Sequence, residues 1–561
     1  MRKVSSISKD PFPLPDTITK IVPSPTDGWD ALSPLASMDP KRAPILNNWV
    51  PRPGWVELRG GYNIWATTGA TYLTGSPVET LVVYRALGNE QMYAASGGKI
   101  FNVSTQFARP TPVVTGLTSN RWQWVNFTPA LAPTVIQLVN GVDPLQMYNG
   151  TTWTVPSITG LPGGVGTSAI RNIAVQKRRI WYMMNNGSGQ GTTVAAYMPT
   201  DTITGPIAGS LDLGALWNKG GFLQAMANWT IDGGSGPNDY ACFISNKGQV
   251  SIYQGTDPTS ANTWSLVGTF DLAPPIGDRC VTRIGSDVGV ITLQGVLPIS
   301  TALPFDPSAD RSVAITSRIQ NAMYQSASLY NQNFGWQLMS YPLQTLLFLN
   351  IPIATNSNQV QYVMNTLTGA WCQFTGWNAN CFEIFNNELY FGDNTGNVAL
   401  AYMGGSDLFA TINADMQCAF NYFDDPGRTK RMTLLQPLLT VSGPITPTLG
   451  VDVAFSTSTT TAPVSGFGTA GSLWDVSLWD RALWPIGLVY ETNFLSVNAL
   501  GHALAVRMKI NFISTSTTQA SVGVFDLGTF DNAVFDGGLS SINPILQVNV
   551  FNAVLEMGGY I

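Results

Sequence analysis

Between Phe243 and Ser300 the chain alternates short apolar runs with tight-turn residues, and no other stretch constrains the fold as strongly. Phe243 to Ser245 is short and apolar, and Asn246-Lys247-Gly248 follows as a turn, because Asn and Gly accept the positive φ of a tight hairpin. Gln249 to Gln254 alternates polar with apolar residues, the period of a half-buried strand. Gly255, Asp257 and Pro258 interrupt it. Trp264 to Phe270 is a third strand, ended by Pro274-Pro275, and Val288 to Leu293 is a fourth, turned back at Gln294-Gly295. Four antiparallel strands within about sixty residues predict one blade of a β-propeller with a long loop.

The same texture recurs. Leu81 to Tyr84, Gln91 to Ala94 and Ile100 to Val103 form one strand–turn–strand group, and Trp122 to Phe127, Thr134 to Val139, Gln146 to Tyr148 and Thr152 to Val155 form another. Ile173 to Val175 and Ile180 to Tyr182 begin a third, and further runs extend to Leu389-Tyr390-Phe391. Irregular units spaced at about 40–50 residues favour a propeller over a sandwich. The predicted fold is all-β: a β-propeller-like body over residues 66–406 with about six or seven blades, an extended N-terminal arm over 1–65, and a C-terminal β-sandwich or barrel domain over 407–561. The one helical window, near 308–330, has N-cap options at Ser308 and Asp310 and apolar spacing through Ile315, Ile319, Ala322 and Met323, and reads as an insertion between blades.

Composition narrows the class. Charged residues make up 11% of the 561, against about 25% in ordinary soluble proteins, while aromatics also reach 11%. That balance fits a subunit of a stable assembly. The net charge of −6 argues against tight nucleic-acid binding, which needs basic surfaces. The one compact basic run, Lys177-Arg178-Arg179, reads as a solvated turn between strands. Five cysteines without a C-x-x-C pair read as free buried thiols in a reducing compartment. The N-terminal segment has no apolar core of a signal peptide, and no apolar run approaches the roughly 18 residues of a membrane helix.

Candidate chemistry is sparse. Gly466 to Gly471 matches G-x-G-x-x-G, but a Ser/Thr-rich segment precedes it and a Trp-rich one follows, where a dinucleotide site needs a strand and a helix. The single histidine, His502, has no nucleophile turn to serve, and scattered Cys cannot complete a zinc site with it. Trp474, Trp479 and Trp484 recur every five residues. They read either as a ladder of buried rings or as a tip whose aromatics contact a partner. Asp526, Asp531 and Asp536 share that spacing without the dense oxygen set of a calcium loop. No catalytic, cofactor or metal residue is assigned, and no carboxylate pair for glycoside cleavage is placed.

Three segments resemble the tail nozzle proteins of short-tailed bacteriophages, also called tail tubular or tail stabilisation proteins. They are Trp49 to Gly54 within Ile45–Gly61, Asn140 to Trp153, and the run from Tyr253-Gln254-Gly255-Thr256-Asp257-Pro258 through Trp264 to Arg279. The likeness covers roughly residues 24–400. It implies a non-enzymatic virion protein, assembled in the bacterial cytoplasm as a homo-hexameric ring beneath the portal adaptor. Tail fibres or spikes are further implied contacts, and double-stranded DNA would pass through the ring without sequence-specific binding. In that setting Pro51, Arg52, Pro53 and Gly54 would fix the arm, with Trp49 as an anchor. Gly255, Asp257 and Pro258 would shape the blade turn, with Trp264 in the same signature, and Arg279 would tie a loop by bidentate hydrogen bonds. Two other readings stand beside it: a receptor- or glycan-binding virion tail protein, and a polysaccharide-degrading propeller enzyme.

Overall fold

The computed structural model describes residues 17–70, 74–232, 237–302, 313–408, 410–441, 447–456, 462–463, 489–512 and 545–560. They fall into two compact units, one from the described residues of 59–412 and one from those of 1–58, 413–512 and 544–561.

The 59–412 unit is an all-β, multi-sheet fold broadly similar to β-propeller-type domains. Seven antiparallel meanders succeed one another. Their leading strands are Val78–Ala86 (sheet I), Gln123–Phe127 (II), Ile170–Gln176 (III), Leu223–Asp232 (IV), Val281–Ile284 (V), Gln337–Tyr341 (VI) and Cys381–Phe385 (VII). Each leading strand lies beside the next, and that of sheet VII lies beside that of sheet I. Sheet VII draws its fourth strand, Tyr62–Thr67, from the start of the unit, paired antiparallel with Asn397–Ala401.

Neighbouring sheets pack face to face, and the period-2 pleat divides each strand between two partners. Val82 and Tyr84 face sheet II with Tyr93, Ile136, Leu138 and Tyr148. Leu81 and Val83, one residue out of phase, face sheet VII with Phe385, Tyr390 and Val398. In sheet IV, Phe243 and Tyr253 meet Trp181 and Tyr197 of sheet III, while Ile244 and Ile252 meet Val288 and Val290 of sheet V. Strands buried on both faces therefore read as continuous apolar runs, as in the leading strand of sheet I at Leu81 to Tyr84. Each large apolar side chain removed from water in this way contributes roughly 1.5–3 kcal/mol.

Turn chemistry closes the hairpins. Lys177 and Arg178 have φ of 49° and 59° between the first two strands of sheet III, the pair of left-handed residues that a two-residue I′ turn requires. The run is held by acids: Lys177 pairs with Asp239 at 2.6 Å and Arg179 with Asp257 at 3.0 Å, and Arg178 pairs with Asp201.

Two sequence expectations shift. The stretch Phe243–Ser300 holds parts of two sheets. Its first three strands belong to sheet IV, whose leading strand lies upstream at Leu223–Asp232, while Asp287–Thr292 is the middle strand of sheet V. Pro274-Pro275 marks the passage between sheets. Within 313–330, the described part of the predicted helical window, the α-helix spans Gln320–Tyr330. Upstream, the Ile315 amide bonds the Val296 carbonyl at 3.0 Å and Thr316 Oγ1 accepts from the Val296 amide at 3.2 Å. The edge of sheet V thus holds the backbone that the helical reading extended into.

In the second unit, Arg428–Val441 pairs with Leu546–Tyr560, which also pairs with Thr17–Pro23 and Trp55–Leu58. Trp49–Arg52 and Trp55–Leu58 form a hairpin. A further group runs Ile45–Asn47, Ile412–Gln417, Leu504–Phe512, Thr448–Val453. Arg507 grips Asp415 by two hydrogen bonds of 2.9 and 2.7 Å.

Candidate functional site

Two cavities lie one behind the other along the leading strands of the 59–412 unit, about 500 Å³ and about 350 Å³ in volume. Gln123, Asp278 and Arg279 border both. The larger opens at the heads of the leading strands, between Gln123, Arg171 and Gln224, the 274–279 segment and the 331–336 loop. The smaller follows the same strands inward, past Trp124, Ile173, Met226, Leu338 and Glu383.

Arg279 divides them. Its Nη2 donates to the Glu79 carbonyl at 3.1 Å, to Thr80 Oγ1 at 2.7 Å and to the Trp122 carbonyl at 3.3 Å. The side chain therefore reaches from the entrance of sheet V to sheet I and the residue before sheet II. Enclosed by protein yet still open to the cavity, it has a guanidinium that burial pushes below its ordinary range. Phe334 lies under two guanidinium groups, 4.3 Å from Arg121 and 5.1 Å from Arg279, and Arg171 sits 4.5 Å over Phe222, within cation–π range.

Acids balance most of this charge. Glu79 accepts from Arg121 Nε at 3.0 Å and Asn356 at 3.1 Å. Asp278 Oδ1 accepts from Arg171 at 2.6 Å and Gln224 at 2.7 Å. In the smaller cavity Glu383 accepts from Arg85 at 2.9 Å. Burial there outweighs the attraction of Arg85 and raises the Glu383 carboxyl to about 7, so a fraction of it is protonated at neutral pH. Among the described residues no group of three or more His, Cys, Asp or Glu is placed to hold a metal ion.

Of the signature residues singled out from sequence that lie among the described residues, only Arg279 borders either cavity, beside the strand-ending Pro274 and Pro275. It ties a loop through two carbonyls and a hydroxyl, with a single nitrogen donating. Trp49, Pro51, Arg52 and Gly54 build the hairpin of the other unit. Gly54 takes the positive φ of 95° at its turn, Trp49 is fully buried, and Arg52 bonds Glu57 at 2.7 Å. Gly255, with φ 139°, pairs with Trp264 at the edge of sheet IV. Asp257 bonds the hydroxyl and amide of Thr259 at 2.8 and 3.1 Å, which with Arg179 holds its carboxyl below the usual range. Pro258 follows in that turn. Trp264 stacks on Tyr253 and Trp181. Trp474, Trp479 and Trp484 lie outside the described residues, as do Gly466 to Gly471 and Asp526, Asp531 and Asp536. His502 accepts a bond from Lys430 at its carbonyl, 3.2 Å. The five cysteines are buried and unbridged.

Sequence reading missed Arg121, Arg171, Phe222, Asp278, Phe334 and Glu383. One signal was present: a charged or amide residue stands at or just before the head of several leading strands, as in Arg121-Trp122-Gln123, Arg171, Gln224, Asp278-Arg279 and Gln337.

No protein-family model and no curated protein matches the chain. Among solved structures it is similar to BBS1N, crystallised in complex with ARL6DN, at 12% identity and a TM-score of 0.38 over 61% of this chain and 98% of that one. It is also similar to a "putative 6-phosphogluconolactonase" of Bacteroides uniformis, at 12% identity and 0.31 over 55% and 88%. Another so described, from Bacteroides fragilis, matches at 10% identity and 0.31 over 60% and 92%. At such identities the likeness is one of fold.

These findings correct the tail nozzle expectation, and with it the virion and DNA-ejection setting: the three proteins named are not phage proteins. They also correct the exclusion of enzymatic activity, since two are described as enzymes. The physical reason lies in the residues that carried the resemblance. Gly54, Gly255, Asp257 and Trp264 make turns, a strand edge and a stack between sheets, which such sheets need whatever the molecule does.

Proposed function

We propose that residues 59–412 form a closed ring of seven sheets that binds a glycan in the larger cavity. Closure is supported by the contact of sheet VII with sheet I and by the Tyr62–Thr67 strand that completes sheet VII. One observation carries the functional reading. The 500 Å³ cavity is ringed by amide side chains (Gln123, Gln224, Asn246, Asn331, Gln332 and Asn333), with guanidinium groups and the ring of Phe334 among them. Amides and guanidiniums supply the donors and acceptors that sugar hydroxyls need, and the volume lies in the range of small-ligand sites.

Gln332 is exposed at this rim and bonds only its neighbour Asn331 among the described residues. Gln332→Trp should therefore fill the mouth and leave the fold intact. A glycan array followed by calorimetry on the full chain tests the reading. Binding by the native protein and its loss in Gln332→Trp at unchanged melting temperature is the expected result. No bound glycan, or undiminished binding by the variant, would refute it.

A glycan-cleaving enzyme is a second reading, favoured by Glu383. A carboxyl raised to about 7 suits a general acid at neutral pH, and Asp278 borders the same cavity. Release of reducing ends that disappears in Glu383→Gln would establish it.

A further inference from the structure

We infer that the saccharide of the larger cavity is uncharged and is held at the junction of the two cavities by the carboxamide of Gln123; the saccharide part rests on the proposed function. The first observation is the charge balance. Four guanidinium groups lie around the cavities, those of Arg85, Arg121, Arg171 and Arg279, and four carboxylates answer them. Glu383 and Glu90 stand 2.9 and 3.6 Å from Arg85, Glu79 stands 3.0 Å from Arg121 and Asp278 stands 2.6 Å from Arg171. Above the Glu383 value of about 7 the two signs cancel.

The second observation is that the cations' inward donors already have acceptors. Arg279 Nη2 is shared among two carbonyls and Thr80 Oγ1. Arg171 Nη2 donates to Asp278, and Arg121 Nε to Glu79. An acidic ligand would compete with these acceptors and would leave one excess negative charge in a partly enclosed space, which the protein penalises.

The third is Gln123 itself. It opens the leading strand of sheet II, is half-buried and borders both cavities. Its carboxamide has no hydrogen-bond partner among the described residues, and neither of its polar atoms is sealed in the interior. The neighbouring amides are more constrained: Gln224 Nε2 is tied to the Gly277 carbonyl and Asp278 at 2.9 and 2.7 Å, and Asn333 Nδ2 to the Pro352 and Ile353 carbonyls at 2.9 and 3.0 Å. A free carboxamide offers a donor and an acceptor side by side. Adjacent sugar hydroxyls, which each donate and accept, can use both; a carboxylate can use only the donor and would face the amide oxygen with its own.

The test titrates the full chain by calorimetry at pH 8 with two matched pairs: tetragalacturonate and its carboxyl-reduced counterpart, and tetraglucuronate and its carboxyl-reduced counterpart. In at least one pair the neutral tetramer should bind, and at least about 10-fold more tightly than its acidic partner. Gln123→Leu should weaken that neutral tetramer about 10-fold at an unchanged melting temperature, the worth of two hydrogen bonds. An acidic tetramer binding as tightly as its neutral partner, or more tightly, would overturn the inference and leave the glycan reading standing. Undiminished binding by Gln123→Leu would remove Gln123 from the site, and no binding by any of the four would refute both readings. Should Gln123→Leu lower the melting temperature, Gln123→Asn, which withdraws the same amide by one methylene, should show the loss in its place.

Discussion

Replacing Glu383 with glutamine should remove a pH dependence that the native fold carries. The carboxyl sits almost wholly inside the protein, its side chain 9% exposed, and is raised from its ordinary 4.5 to about 7. Below pH 4.5 it is protonated in folded and unfolded chains alike and contributes nothing. Between 4.5 and 7 the unfolded chain ionises while the folded one holds its proton, so stability falls as pH rises. Above about 7 both are ionised and the full cost is felt, about 3 kcal/mol. The attraction of Arg85 is already contained in that figure, and Arg85 keeps Glu90 at 3.6 Å in the variant. Glu383→Gln should therefore match the native chain at pH 4.5 and exceed its stability by up to about 3 kcal/mol at pH 8. Urea unfolding of both proteins across that range, following the transition of the 59–412 unit, measures the difference, and other titrating groups cancel in it. Parallel pH profiles, or a variant that is weaker at pH 8, would refute the reasoning.

Asp407→Ala should cost about 3–5 kcal/mol in the same assay, because it strips the carboxylate that Arg59, with a fully buried side chain, grips at 2.8 and 2.6 Å; a loss below about 1 kcal/mol would contradict the assignment. Gly255→Ala should destabilise the fold by more than about 2 kcal/mol, since φ is 139° and a Cβ would stand 1.9 Å from the Thr263 carbonyl oxygen. Gly88→Ala, also at positive φ but with open space around it, should cost only about 1 kcal/mol, and equal losses in the two would place the cause in the backbone alone. The five thiols should resist Ellman's reagent in the native protein and react fully in guanidinium, because all are buried and burial pushes Cys242, Cys280 and Cys418 up to about 12; rapid native labelling of any of them would count against this packing.

Local chemistry was legible in the residues; assembly was not. Asn246-Lys247-Gly248 and Lys177-Arg178 announced their turns, and the alternation at Gln249 to Gln254 announced its strand. Where a sheet begins could not be read in the same way. The strand Leu223–Asp232 opens sheet IV, but only its pairing with Pro237–Ser245 assigns it there. The cavity was illegible for a related reason. Arg121, Arg171 and Arg279 are separated by long stretches and converge only because successive sheets turn their leading strands toward one another. No spacing rule connects them. Arg279 was singled out through a family likeness, and its place in the cavity is a separate fact. The family likeness failed through the same asymmetry: turn residues describe how sheets are built and carry little about what they hold.

The pairing of Tyr62–Thr67 with Asn397–Ala401 sets a clock on biosynthesis. The first of these strands leaves the ribosome some 330 residues before its partner, an interval of about 15–65 s at ordinary elongation rates. For that time sheets I to VI can form in order, each from contiguous chain, while Trp65 waits without the Tyr390 ring it meets at 5.2 Å in the finished unit. The waiting segment is an unpaired strand bearing aromatic residues, the kind of edge that invites pairing with other chains. Slowing elongation between residues 67 and 397 would lengthen that exposure, and supplying a chaperone would cover it, with no change in the finished fold.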